Sequence, residues 1–335
     1  MTVEGGHAGG TYLRAYLSHL DAFLDRPDVT DIYINRPGEV WIEALGALPE
    51  RVAVPALDAR MLERLARQIA SRSSQGINRH HPLLAASLPD GARVQIIAPP
   101  ATRGHVAIAI RKQAIREMAL DDCVATGLFD RTRVGTLADT GDDRDGADGL
   151  RLLLDRGDFA GFLKGAVLAR KNIIVSGGTS TGKTTFLNAL LQQIPQDERL
   201  VAIEDTPEVR LSHPNAIGLI ASRSDLGEAQ VTVDDLLQAS LRMRPSRIIM
   251  GELRGAEAYS FLRAVNTGHP GSITTVHADS PRGAAEQIAL MVLQSGTTLS
   301  RADVLAYVRM TVEVVVQLSR VDGRRIVSTI TYGAD

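Results

Sequence analysis

The sequence is poor in several kinds of residue, and each shortage excludes a class of protein. A single cysteine among 335 residues, Cys123, excludes an intramolecular disulfide and a thiolate-rich metal site. Aromatic residues make up 4% of the chain and the formal net charge is -2, so no global positive field draws it to nucleic acid or anionic lipid. No run approaches the ~18 apolar residues of a membrane span, and "MTVEGGHAGG" has neither a basic leader nor an apolar core. We therefore expect a cytosolic chain, or one that sits on a membrane through partner proteins.

Residues 1–115 have the pattern of a small α+β domain. In "DIYINRPGEVWIE" apolar residues alternate with others around an Asn-Arg-Pro-Gly turn, which predicts a β-hairpin. "ASLPDGARVQIIA" and "HVAIAIRK" alternate as well, and predict strands with one buried face. Between them, "LDARMLERLARQIASRSS" has apolar residues at helical spacing. The apolar face of that helix consists of Leu57, Met61, Leu62, Leu65 and Ile69.

Residues 116–149 are predicted to link this domain to the next. The part at 139–149, "DTGDDRDGADG", carries five aspartates against one arginine and no apolar residue larger than alanine. Such a stretch buries too little surface to offset its ordering entropy, so we expect a flexible linker or exposed loop. An acidic metal-binding loop is the alternative, although the ligand spacing of a calcium loop is incomplete.

Residues 150–335 alternate between predicted strands and helices, which indicates an α/β layer with a largely parallel sheet. Thr232 and Asp235 predict a capping box at the start of one helix, and an Asp-Gly turn near the end predicts a closing hairpin. The strand candidates are "NIIVS", "RLVAIED", "RIIMGE" and "SITTVHA", and the helix candidates are "DFAGFLKGAVLARK", "TTFLNALLQQI", "TVDDLLQASLRM" and "GAEAYSFLRAVNT".

A phosphate-binding loop is the clearest motif of the chain. "GGTSTGKT" matches G-x-x-x-x-G-K-[ST] without a mismatch, after a predicted strand and before a predicted helix. Its backbone N–H groups would cradle phosphates, Lys183 would reach the β- and γ-phosphates, and Thr184 would ligate Mg²⁺. The sequence therefore predicts ATP and Mg²⁺ as ligands. The predicted nucleotide-binding residues of the loop are Gly177, Gly178, Thr179, Ser180, Thr181, Gly182, Lys183, Thr184 and Thr185.

Two predicted strands end in acidic residues. "RLVAIED" ends in Glu204 and Asp205, and "RIIMGE" ends in Glu252. The carboxyl ends of parallel strands face the crevice where ligands bind in open α/β sheets. Glu252 is placed to polarise a water or to help hold Mg²⁺, and Glu204 and Asp205 could share those tasks. His277 closes another apolar strand and is a candidate sensor of the γ-phosphate.

Arginines are candidates because phosphoryl transfer needs positive charge near the γ-phosphate. Arg242 and Arg244 end a predicted helix just before the strand that carries Glu252. Arg93 and Arg111 lie on the polar sides of two predicted strands in the first domain. By sequence alone, an exposed arginine without a role in the site is the ordinary interpretation of all four.

Four sequence motifs, which we call boxes, follow one another in the order "GGTSTGKTT", "AIEDTPEV", "RIIMGELRG" and "TGHPGSITTVHA". In this order they resemble the motifs of the secretion-superfamily ATPases, and most of all those of the traffic ATPases of bacterial type IV secretion and conjugation machines. "TDIYINRPGEVWIE" is similar to their N-terminal domain as well, so the likeness covers about residues 20 to 330. The resemblance implies a RecA-like P-loop ATPase domain behind a smaller N-terminal domain.

The resemblance also implies a homo-hexameric ring on the cytoplasmic face of the inner membrane, with inner-membrane and cytoplasmic secretion subunits as partners. The nucleotide would lie between the two domains, near the neighbouring subunit. Glu204 and Glu252 would be the acidic-box and catalytic glutamates, and His277 would belong to the histidine box. Arg93 and Arg111 would contact phosphates, and Arg242 or Arg244 would complete the site, within one subunit or across a boundary.

The chain departs from the family pattern at two positions. Ser180 stands where many relatives have a second glycine, a change that should not block phosphate binding. Ser246 follows Arg-Pro where an aspartate is common, and a neutral serine cannot form the ion pair that an aspartate would make.

Competing functions share the P-loop. A nucleic-acid motor would need basic charge with stacking aromatics, which this composition does not favour, so no specific nucleic-acid binding is expected. A nucleotide-dependent switch with little turnover would not need paired acidic strand ends. A GTPase is not favoured because no N-K-x-D motif occurs.

Overall fold

The computed structural model describes residues 8–44, 47–112, 118–135, 149–221 and 230–333. The chain divides into two compact units, which we call the first unit (Met1–Ile115 with Ser222–Val231) and the second unit (Arg116–Ala221 with Thr232–Asp335). The predicted acidic linker at 139–149 lies outside the described residues apart from Gly149, which begins a helix. No helix in the described ranges is long and apolar enough to cross a membrane.

The first unit is an antiparallel sheet covered by helices. The predicted hairpin is confirmed: Ile32 pairs with Ile42, and Gly38 supplies a positive φ of 83° at the turn. The predicted helix begins at its cap Asp58, whose carboxylate accepts a hydrogen bond from the Met61 N–H, and its apolar face packs on the sheet. The sheet order is β3-β2-β1-β6-β5-β4. The elements are α1 Ala8–Leu17, α2 Asp21–Leu24, β1 Val29–Ile34, β2 Glu39–Ala44, β3 Glu50–Ala53, α3 Ala59–Arg72, β4 Leu83–Ser87, β5 Arg93–Ile97 and β6 Ala107–Arg111.

The second unit is an α/β layer around a mainly parallel sheet, with the order β10-β9-β11-β12-β8-β13-β14-β7. The elements are α4 Leu120–Ala125, β7 Arg133–Gly135, α5 Gly149–Asp155, α6 Phe159–Leu168, β8 Ile173–Gly177, α7 Lys183–Leu191, β9 Leu200–Glu204, β10 Ala216–Ile220, α8 Val233–Ser240, β11 Arg247–Leu253, α9 Glu257–Asn266, β12 Ile273–Val276, α10 Pro281–Gln294, α11 Arg301–Thr311, β13 Val314–Val321 and β14 Arg324–Tyr332.

Helices cover both faces of this sheet, which explains why its central strands carry buried apolar residues on both faces. Along β8, Ile173 and Val175 pack with α6 and α7, whereas Ile174 packs with α8 to α11. Every residue of β8 and β9 is buried. The capping box of Thr232 and Asp235 and the closing hairpin are confirmed. Six elements of this unit were not predicted: α4, β7, α5, β10, α10 and α11. Of these, α4 and β7 lie in the stretch that was predicted as a linker, and β7 pairs with β14 in the sheet.

Candidate functional site

The phosphate-binding loop joins β8 to α7 at the carboxyl edge of the parallel strands. Gly182 caps α7 with a left-handed backbone (φ +95°), which side chains other than glycine rarely adopt. A Cβ atom on Gly177 would lie 2.5 Å from Thr181 Oγ1 and 3.0 Å from the Leu318 carbonyl oxygen. Glycine is therefore required at both ends of the loop for different reasons.

Lys183 fills the loop with its own ammonium group. Its Nζ donates to the carbonyl oxygens of Gly177 (2.9 Å) and Gly178 (3.3 Å) and lies 3.6 Å from Glu252 Oε1. Burial lowers the pKa of Lys183, and the Glu252 carboxylate acts against that shift. A cation held by two neutral carbonyls can exchange them for phosphate oxygens, which bind an ammonium more strongly.

Ser180 lies in the same loop with a φ of +60°. This is the position where the family pattern has a glycine, and a left-handed backbone costs a residue with a Cβ about 1–2 kcal/mol. The departure noted in the sequence therefore falls on a strained residue.

Glu252 and Asp205 lie at the carboxyl ends of neighbouring strands and share one arginine. Arg254 Nε donates to Glu252 Oε2, and Arg254 Nη1 donates to Asp205 Oδ2 at 3.0 Å. With Lys183 on the other side, both oxygens of Glu252 face a cation. Arg254 was not predicted. Arg254 lies two residues after Glu252, just past the end of β11. A basic residue so close to an acidic strand end is the signal that could have found it.

Glu204 has a different environment from Glu252. It is buried at 5% exposure, and its Oε1 accepts hydrogen bonds from the N–H groups of Glu208 (2.9 Å) and Val209 (2.7 Å). These contacts fold the segment after β9 back on itself. In this structure Glu204 holds a turn and leaves a second carboxylate, Glu208, to face the phosphate-binding loop.

Glu208 is the carboxylate that meets Thr184. Its Oε2 accepts a hydrogen bond from Thr184 Oγ1 at 2.9 Å. Asn188 of α7 supports the same segment, because its Nδ2 donates to the Glu208 carbonyl oxygen (3.1 Å) and its Oδ1 accepts from the Arg210 N–H (2.9 Å). Sequence reasoning missed both residues. Glu208 lies within the acidic box "AIEDTPEV", where only the strand end was considered.

His277 reaches the loop from β12. This strand pairs in parallel with β8, and the His277 Nε2 atom lies 3.3 Å from Thr179 Oγ1. His277 is exposed, so it can move between the loop and a ligand. The structure thus brings it to the same edge as Lys183 and Glu252.

Arg242 and Arg244 lie at the opposite edge of the sheet. Both are exposed and precede β11, which begins at Arg247 and ends beyond Glu252. At ~3.3 Å per residue, the strand separates them from Glu252 by roughly 20 Å. Within one subunit the structure does not bring either arginine to the site.

Arg93 and Arg111 belong to the first unit. They are register partners on β5 and β6, and Arg111 Nε donates to Asp31 Oδ1 at 2.8 Å. The two guanidinium groups therefore lie on neighbouring strands of one sheet.

The predicted magnesium ligands offer the right donors. A hydroxyl and carboxylates suit Mg²⁺, which is typically bound through one or two carboxylates together with substrate phosphates. In this structure Thr184 is bonded to Glu208, and Asp205 and Glu252 are bonded to Arg254. Among the described residues, no three His, Cys, Asp or Glu side chains are grouped as a complete protein cage would require. The residues fit a cation whose coordination shell is completed by the phosphates of the substrate.

Comparison with known proteins gives consistent matches. Residues 150–325 match the model of the family described as Type II/IV secretion system protein. The chain is 36% identical over 326 residues to the type IV secretion system protein VirB11 of Bartonella henselae, covering 94% of this chain and 91% of that protein. It is 39% identical over 328 residues to PtlH of Bordetella pertussis, covering 95% and 94%.

A solved structure also matches over almost the whole chain. The VirB11 ATPase of the Brucella suis type IV secretion system, solved in complex with sulphate, is 38% identical and covers 97% of this chain and 98% of its own. The TM-score of that match is 0.52.

Proposed function

This chain belongs to the Type II/IV secretion system protein family and is a type IV secretion ATPase, and we propose that it works as a homo-hexameric motor driven by ATP and Mg²⁺. The ring would act on the cytoplasmic face of the bacterial inner membrane, together with membrane and cytoplasmic subunits of the secretion machine. Its work would be substrate translocation, pilus assembly or both.

The observation that carries this proposal is the meeting of Lys183, Thr184 and Glu252 at one edge of the sheet. On ATP binding, Lys183 would turn from its two carbonyl partners to the β- and γ-phosphate oxygens. The loop N–H groups would hold the remaining oxygens. Mg²⁺, held through Thr184 and a carboxylate, supplies charge neutralisation on the phosphates.

Glu252 would then orient the attacking water and accept its proton. The oxygen of that water forms a bond to the γ-phosphorus while the bond from this phosphorus to the β–γ bridging oxygen breaks, which leaves ADP and inorganic phosphate. Glu204 would serve by holding the turn that presents Glu208 to Thr184. His277 would sense the γ-phosphate through its contact with Thr179.

The first unit would close on the nucleotide through Arg93 and Arg111. The predicted linker at 116–149 does not serve as a hinge over its whole length, because its α4 and β7 belong to the second unit. A hinge between the two units would let loss of the γ-phosphate contacts reopen the first unit. Replacing either arginine with alanine should weaken nucleotide binding by about 10- to 100-fold, the usual value of a charge-assisted hydrogen bond.

Titration with a fluorescent ATP analogue and steady-state hydrolysis measure this effect. Asp31→Asn is the matched control, because it breaks the ion pair to Arg111 and keeps the guanidinium. Unchanged affinity and turnover in both arginine variants would rule out closure by these residues.

Arg242 and Arg244 would act across the subunit boundary. A mixing experiment tests this: Glu252→Gln subunits keep both arginines, and Arg242→Ala/Arg244→Ala subunits keep an intact Glu252. If the arginines act in trans, mixed rings contain complete sites and hydrolyse ATP faster than either variant alone. Mixtures that merely average the two activities would exclude a trans role.

A further inference from the structure

Arg254 occupies a place between two carboxylates that come from different strands. Asp205 follows β9 and Glu252 lies on β11, and these strands are parallel neighbours. One guanidinium group donates to both, through Nε to Glu252 and through Nη1 to Asp205. The two strand ends are therefore joined by a single positive charge.

The charge balance at this point depends on Arg254. Without a shared cation, the negative charges of the Glu252 and Asp205 carboxylates would repel each other. The guanidinium group of Arg254 supplies that shared cation, since it reaches both carboxylates at once. Because an arginine side chain is not deprotonated in proteins, this positive charge is always present between the two strand ends.

The same two carboxylates are the predicted protein ligands of Mg²⁺. Oxygen lone pairs that accept hydrogen bonds from Arg254 are not available to a metal ion at the same time. We infer that Arg254 is a placeholder cation, which bridges Asp205 and Glu252 before metal binding and releases one of them when the divalent cation binds. This inference rests on the proposed use of Asp205 and Glu252 as metal ligands.

Exchange is feasible because the Arg254 side chain is 42% exposed. A guanidinium at this exposure regains water when it leaves a carboxylate, so its release costs far less than the release of a buried one. Arg254 is thus a positioning residue: it keeps the carboxylates together and uncommitted to a metal until the substrate arrives.

The test is Mn²⁺ binding to the nucleotide-free protein, measured by the electron paramagnetic resonance signal of the free ion. Arg254→Gln removes the competing cation and should bind Mn²⁺ about tenfold more tightly than wild type, or more. The gain should vanish in Arg254→Gln/Asp205→Asn. Arg254→Lys keeps the charge without the two-armed bridge and should fall between wild type and Arg254→Gln.

Arg325→Gln is the matched control. Its side chain lies beside Gly182, one residue before Lys183, and no carboxylate pairs with it in the described part of the chain. The control removes the same charge near the loop without touching Asp205 or Glu252. It should change Mn²⁺ affinity by less than about threefold, as expected for a screened, exposed charge.

Two results would overturn the inference: equal gains in Arg254→Gln and Arg325→Gln, or a gain that persists without Asp205. Thermal unfolding of each variant shows whether it is folded. If Arg254→Gln does not fold, the Mn²⁺ affinity of Arg254→Lys is compared with that of wild type instead. The proposed motor is tested separately, because Glu252→Gln should abolish ATP hydrolysis whatever Arg254 does to Mn²⁺.

Discussion

Guanidinium groups meet carboxylates at both edges of the second unit's sheet, but in different surroundings. At the edge where β11 begins, Arg247 is fully buried and donates twice to Glu198 (2.6 and 2.8 Å) and once to the Val167 carbonyl oxygen (2.8 Å). At the edge where β11 ends, Arg254 is exposed to solvent and divides its donors between Glu252 and Asp205.

The difference separates a structural ion pair from an exchangeable one. Loss of Glu198 would leave the Arg247 charge in the interior without this carboxylate, so that ion pair is fixed. At Arg254 water can replace either carboxylate, and the partners of Lys183 and Thr184 at the same edge are replaceable in the same way. We therefore expect the reaction to take place at the edge with Arg254, where the contacts can exchange, and the fold to be held rigidly at the edge with Arg247.

The largest expected effect is on turnover at the exchangeable edge. Glu252→Gln removes the proton acceptor and should lower kcat by about 10²–10⁴-fold. Glu204→Gln keeps an oxygen that can accept from Glu208 and Val209, so we expect a loss of about tenfold or less, since a charged acceptor becomes a neutral one. Steady-state ATP hydrolysis measures both, and equal losses would place Glu204 in the chemistry.

The next effect is on stability at the fixed edge. Arg247→Ala should lower the free energy of unfolding by about 3–5 kcal/mol, because Glu198 is left buried without its two hydrogen bonds from Arg247. Arg170→Ala removes an exposed partner of the same carboxylate, 3.1 Å away, and should cost about 1 kcal/mol or less. Denaturant unfolding compares the two, and similar costs would contradict the distinction.

The same pair should give a pH dependence to stability. The hydrogen bond from Arg247 lowers the pKa of Glu198 below its ordinary value of 4.5. Its stabilising effect is therefore present above pH 4.5 and lost as pH falls through the lowered pKa. The difference in unfolding free energy between wild type and Glu198→Gln should shrink between neutral pH and acid. A difference that does not change with pH would contradict this.

The smallest effects concern backbone strain at the two edges. Ser180 and Arg244 both have positive φ, +60° and +51°. Ser180→Gly and Arg244→Gly should each raise the unfolding free energy by up to about 1 kcal/mol, because glycine adopts this conformation without a Cβ clash. A loss of stability at either position would show that the side chain contributes more than the strain costs.

The sequence predicts the elements that local motifs define. The phosphate-binding loop, the strand before it, the helix after it, the first-unit hairpin and the capping box at Thr232 could all be predicted, because each depends on residues close together in the chain. The buried helix α10 was not predicted, although Ser280 and Pro281 provide a cap and a first-turn proline. The edge strand β10 is short and contains Gly218, which weakens any strand pattern.

Contacts between distant segments limited the prediction of the site. The Glu204 carboxylate accepts hydrogen bonds from the backbone of Glu208 and Val209. These contacts depend on the geometry of the turn after β9, which the spacing of residues in the sequence does not specify. As a result Glu208, and not the strand end itself, meets Thr184. Arg254 was overlooked because its partners, Asp205 and Glu252, come together only when β9 and β11 pair.

The most direct test of the motor is ATP hydrolysis per subunit over a wide range of protein concentration, with Mg²⁺ present and no DNA. If sites are completed by neighbouring subunits, specific activity should climb steeply as subunits associate. Appreciable activity that stays flat down to the monomer would contradict a ring of shared sites and remove any essential trans role for Arg242 and Arg244.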